Sequence, residues 1–78
     1  MPDDLQAGLL TDLLDSARLI QTYLAGVDRE SFLADSEKQD AVLRRFEIIG
    51  EVASRLAPET HALFPTLPFR SMRGMSRV

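Results

Sequence analysis

From Ala41 to Ala57 the chain reads AVLRRFEIIGEVASRLA, and its apolar positions recur at helical spacing throughout. Val42, Phe46, Ile49, Ala53 and Leu56 fall on one face of a helix with 3.6 residues per turn. Ala41, Ile48 and Val52, with Arg45 between them, form a second arc about 80 to 120 degrees round the axis. One packed neighbour covers one such face, so this helix is expected to serve two. Arg44, Glu47, Glu51 and Arg55 fill the polar sector. Asp40 to Arg44 and Glu51 to Arg55 are spaced as i,i+4 ion pairs, each contributing about 0.3 kcal/mol, so they mark the wet side rather than hold the fold.

An earlier stretch has the same period. Leu9, Leu13, Ala17, Ile20 and Leu24 make its buried stripe, Leu5 and Leu10 lie at the margins, and Leu14 and Leu19 fall outside it. Asp3 or Asp4, after Pro2, suits the start of this helix, and Gly26 suits its left-handed end. Asp28 is expected to cap one short turn that folds Phe32 and Leu33 back on the long helices. Ser36 and Gln39 have the spacing of a capping box that opens the second long helix. Gly50 inside that helix costs about 1 kcal/mol against Ala, which suggests close approach by another helix or a tolerated defect. Pro58 stops the helix and can sit in the first turn of a short one. Beyond it Pro65, Pro68 and Gly74 punctuate a loop or a set of single turns anchored by Phe64, Leu67, Phe69, Met72 and Met75.

The expected fold is therefore all-α: one domain over residues 1–78, built on an antiparallel hairpin of helices at about 4–25 and 37–57, with no strand because no apolar run alternates. At 78 residues a chain buries only roughly 60% of its unfolded surface, and association is the simplest remedy. The spare arcs point to a homodimer through Leu14 and Leu19 with Ala41, Arg45, Ile48 and Val52.

Composition narrows the chemistry. With no cysteine and one histidine, neither a disulfide framework nor a structural metal site is expected, and no cofactor motif is present. No apolar run reaches the roughly 20 residues of a membrane span and MPDDLQ is acidic, so a cytoplasmic protein is expected. Charge is uneven: residues 1–67 hold 12 acidic and 6 basic side chains, whereas 68–78 hold Arg70, Arg73 and Arg77 and no acid. Three arginines are a solvated tail or a weak, salt-sensitive RNA contact. His61 has no serine or cysteine at a recognisable spacing and is read as a surface residue.

Tyr23, Gly26, Phe32-Leu33, Asp35 and the run Q-D-A-V-x-R-R-x-E-I-I-G-E from Gln39 to Glu51, continued by Pro65-x-x-Pro68-Phe69-Arg70 and Gly74-Met75, resemble the HepT-like toxins of the HEPN superfamily. The resemblance implies an all-helical homodimer, a ribonuclease toxin of a type II toxin–antitoxin system, and a minimal nucleotidyltransferase antitoxin as partner. In that family Gly-Met leads directly into an R-x-x-x-x-H-x-Y motif carrying the catalytic Arg and His. Here Ser76 stands at the Arg, Arg77 at the following Asn, and the sequence closes at Val78. The expectation is a HepT-like domain without its C-terminal helix, inactive as written and with no catalytic residue to assign. The alternative is a non-catalytic dimerisation or antitoxin-binding module.

Overall fold

The computed structural model describes residues 4–75. The candidate cap Asp3 and the positions Ser76, Arg77 and Val78 lie outside the described residues. Two long helices form the body: α1 spans Asp4–Leu24 and α3 spans Ser36–Arg55, with the short α2, Arg29–Leu33, between them. Two more short helices follow, α4 at Pro58–Leu63 and α5 at Phe69–Gly74, and no strand occurs among the described residues. The all-α hairpin read from the sequence is what forms, elongated to 43 × 21 × 20 Å.

Each boundary has a local cause. Gly26 adopts φ +70°, the left-handed conformation that an L side chain resists, and turns the chain out of α1. Asp28 accepts the backbone N–H of Ser31 at 2.8 Å and opens α2 as expected. At α3 the cap sits one residue earlier than the capping-box reading placed it. The Asp35 carboxylate accepts the Lys38 N–H at 3.0 Å, and a charged acceptor outcompetes the Ser36 hydroxyl. Gln39 is thereby released from the box: its amide donates to the carbonyls of Phe32 at 2.8 Å and Leu33 at 3.0 Å, satisfying the open end of α2. Lys38 Nζ donates to the Tyr23 carbonyl at 3.0 Å, placing a cation at the C-terminal end of α1, which has no basic residue in its own last turn. The hairpin is thus tied across its turn by two side chains from the start of α3. At the far end Ala57, preceding Pro58, is extended at ψ 153°, as a residue before proline must be, and Pro58 opens α4.

The core is a cluster of Leu9, Leu13, Ile49, Val52, Leu56 and Phe69, with Leu10, Ala17, Ile20, Ile48, Met72 and Met75 packed against it. Gly50 and Ala53 are buried on α3, and Ser16 is buried on α1 at 2% exposure. Several expectations need correcting. Leu33 does not fold back but stands 63% exposed, because the five-residue α2 turns only one face inward and Phe32 occupies it. Phe64 and Leu67 also remain exposed, so Phe69, Met72 and Met75 alone anchor the last segment. Arg44 pairs with Glu47 at 3.6 Å rather than with Asp40.

The join between α1 and α4 was not foreseen. Gln6 Oε1 accepts both the Ala57 backbone N–H and the Thr60 hydroxyl, each at 2.8 Å. Thr60 is 2% exposed, so its hydroxyl is satisfied inside the protein, and α4, which lacks a cap from its own N-cap residue, receives one from the other end of the chain.

Candidate functional site

Two surfaces carry the residues singled out above. The first is α5. Phe69, Met72 and Met75 recur every third residue and turn toward the core, which leaves Arg70 and Arg73 exposed on the outer side of the helix. Arg73 engages another group of the protein. Arg77 lies outside the described residues. The structure thus brings two of the three arginines onto one short basic helix, positioned by a buried phenylalanine.

Beside this helix sits His61, and its reading as a surface residue is corrected. Its ring stacks on Phe69 with centroids 4.3 Å apart and planes 5° from parallel. Its Nε2 is buried and has no hydrogen-bond partner. The preceding residue, Thr60, is buried and bonded to Gln6. A histidine acts as a proton carrier only where a ring nitrogen reaches the reacting group, and Nε2 of His61 has no such access. Among the described residues no group of three or more His, Asp or Glu is placed to hold a metal ion.

The second surface runs along the seam between α1 and α3. Leu19, Arg45 and Ile48, three of the expected interface residues, line one groove of about 370 Å³ together with Asp12, Asp15 and Ser16. Leu14 projects from α1 at 52% exposure. Ala41 lines a separate, smaller depression with Tyr23, Asp35, Glu37 and Lys38. Val52 is not available on this face, because it is buried in the chain's own core in the cluster that Phe69 completes. The expectation of two neighbours for α3 was right in kind, but α5 of the same chain is one of them. Asp12 and Asp15 were missed, although their i,i+3 spacing, continued to Leu19, marks one face of α1.

A further apolar groove, lined by Leu24, Val27, Phe32, Val42 and Phe46 with Asp28 and Arg29 at its edge, lies at the turn of the hairpin. The carboxyl of Asp28 is held below its ordinary value, first by the backbone N–H of Ser31 and then by the Ser31 side chain. This is the electrostatics of a helix cap and not of a reacting group.

The family profile described as Ribonuclease HepT-like matches residues 13–76. A protein of Thermococcus cleftensis named probable ribonuclease HepT is 35% identical over 66 residues, covering 85% of this chain and 60% of that protein. A Methanocaldococcus jannaschii protein named gamma-glutamylcyclotransferase and putative RNase is 33% identical over 66 residues, covering 85% of this chain and 30% of that protein. Another from the same organism, named putative RNase, is 29% identical over 69 residues, covering 88% of this chain and 63% of that protein. The chain thus spans less than two thirds of the length of each of these relatives. No solved structure is a significant match.

Proposed function

The chain belongs to the HepT-like ribonuclease family, and from that premise we propose that it derives from the toxin of a type II toxin–antitoxin pair, that it works as a cytoplasmic homodimer beside a nucleotidyltransferase antitoxin, and that residues 1–78 do not themselves cleave RNA. The observation that carries the last point is His61. RNA cleavage of the general acid–base kind needs a group that moves a proton and a cation that stabilises phosphate charge. Arg70 and Arg73 supply cations on the exposed side of α5, whereas the one histidine of the chain has its Nε2 buried against the core. Phosphate contacts alone give weak retention of RNA that falls steeply with salt, and no turnover. None of the helices among the described residues is long and apolar enough to cross a membrane.

A second reading, a non-catalytic module that dimerises or binds an antitoxin, is favoured by the groove between α1 and α3 and by the exposed Leu14 at its side. One assay tests the first reading. The purified chain and the triple variant Arg70, Arg73, Arg77→Ala are incubated with labelled RNA at several salt concentrations. The expected result is binding at low salt by the wild type alone and no cleavage by either. Cleavage that follows the wild-type protein through purification and disappears in the variant overturns the reading of α5.

A further inference from the structure

The sulfur of this chain is gathered where its last helix meets the core. There is no cysteine, and the two methionines that follow Met1 are Met72 and Met75. They stand three residues apart on the inward side of α5, beside Phe69, and pack against the core cluster. To that core α1 and α3 bring leucine, isoleucine, valine and alanine, so every thioether in it belongs to α5. Phe69 is buried, whereas both methionines are half-buried, each packed on one side and open to solvent on the other. A thioether in that position combines an apolar packing role with access for a small oxidant, and access is what governs methionine oxidation.

We propose that Met72 and Met75 form an oxidation site that controls how α5 is held: a peroxide converts both thioethers to sulfoxides, and the helix then leaves the core while α1 and α3 stay paired. At each sulfur a lone pair attacks one peroxide oxygen, the S–O bond forms as the O–O bond breaks, sulfur gives up two electrons, and the second oxygen leaves as water. The product is a polar acceptor on a side chain whose packed neighbours are apolar and offer it no donor. Water supplies that donor only when this side of α5 turns outward. The helix cannot resist by itself, because it is six residues long and its N-cap residue makes no side-chain cap. The hairpin can, because Leu9, Leu13, Ile49, Val52 and Leu56 join α1 to α3 without any sulfur. Arg70 and Arg73 ride on the released helix, so its basic face is lost with it; this last consequence alone rests on the phosphate-contact reading above.

Hydrogen peroxide on the purified chain tests this, beside the double variant Met72→Leu, Met75→Leu, which keeps the apolar volume and removes the sulfur. Peptide mass spectrometry reads the oxygen added at each methionine. NMR-detected hydrogen exchange reads the backbone amides of Met72 and Met75, which donate to the carbonyls of Pro68, at 3.0 Å, and of Met72. Wild type is expected to gain one oxygen at each of the two sulfurs, and its two α5 amides to exchange about tenfold faster or more, with the amides of α1 and α3 unchanged. The leucine variant is expected to exchange at the same rate before and after peroxide, and methionine sulfoxide reductases with a thiol reductant are expected to return wild type to its starting rates. The proposal is overturned if both sulfurs are oxidised and the α5 amides do not change, if both stay reduced under peroxide that oxidises free methionine, if α1 and α3 open to the same extent, or if the leucine variant responds as wild type does. Retention of labelled RNA at low salt is measured on the same samples and is expected to fall on oxidation. Retention that persists once α5 has opened overturns the control of the basic face, whereas an untreated chain that retains no RNA defeats the phosphate reading and leaves the exchange result to decide the oxidation site.

Discussion

Gln6 offers the sharpest test of how the two ends of this chain hold each other. Its Oε1 accepts two donors, the backbone N–H of Ala57 and the hydroxyl of Thr60, each at 2.8 Å. Replacing Gln6 by Ala removes both bonds and leaves two donors unpaired, one on a residue only 2% exposed. A net hydrogen bond contributes about 1 kcal/mol, and an unsatisfied buried donor costs about 1 to 3 kcal/mol, so the expected loss is about 2 to 4 kcal/mol. A domain of this size is stable by roughly 4 to 12 kcal/mol, and each kcal/mol moves its midpoint by about 4 to 8 °C. The Gln6→Ala protein should therefore melt about 8 to 32 °C lower, measured at fixed protomer concentration so that association does not shift the midpoint.

The companion change is Thr60→Val, which removes the hydroxyl while keeping the shape. Gln6 retains the Ala57 amide in that variant, so the cost should be about 1 kcal/mol or less. Combined with Gln6→Ala, the valine takes away a hydroxyl that had lost its partner, and the double variant should be no less stable than Gln6→Ala alone. A double-mutant cycle in urea reads this as a coupling of about 1 to 2 kcal/mol. A Gln6→Ala protein within about 0.5 kcal/mol of wild type, or two changes that simply add, would refute the argument that this acceptor ties α1 to α4.

Further outcomes follow from single positions. Phe69→Ala should cost about 3 to 5 kcal/mol in urea unfolding because Phe69 is a core residue and the anchor of α5, whereas Leu33→Ala should stay within about 0.5 kcal/mol; equal effects would contradict the assignment of the core. Gly8, on an exposed face of α1 with open space where a Cβ would stand, and Gly26, at φ +70°, should respond oppositely to Ala in thermal melts: Gly8→Ala stabilises by about 0.5 to 1 kcal/mol and Gly26→Ala destabilises by about 1 to 2 kcal/mol. The Asp28 carboxyl is held below 3.8 in the folded state, so its cap is at full strength above the unfolded value and is lost as pH falls through the lower folded one. An NMR titration of the Ser31 amide should accordingly show its transition below 3.8, and a transition above that value would show that the cap does not bind the carboxylate selectively.

What could be read from the sequence was whatever depends on neighbours along the chain. The 3.6-residue period located both long helices to within two residues, and Gly26, Asp28 and Pro58 each act where backbone chemistry requires them to. What escaped were choices between equivalent local options that tertiary contacts decide. Either Asp35 or Ser36 could open α3, and the decision is linked to Gln39, whose amide is needed at the end of α2. Val52 and Ile48 belong to the same apolar arc, yet α5 covers the first and leaves the second lining the groove. Periodicity sets how wide an apolar face is, but it does not say whether the cover comes from the same chain or from another.

The same distinction governs the candidate site. His61 is the one histidine in the chain, and nothing near it in sequence indicated where its ring would point. Its position is fixed by contacts reaching across the whole molecule. Gln6 holds Thr60, the adjacent His61 lies against Phe69, and Phe69 sets the face from which Arg70 and Arg73 project. A single line of packing and hydrogen bonds therefore does two things at once: it presents the cations of α5 to solvent and withdraws the Nε2 of the imidazole beside them. The buried Nε2 and the outward face of α5 thus share one residue, Phe69, against which the imidazole stacks and by which the helix is anchored to the core.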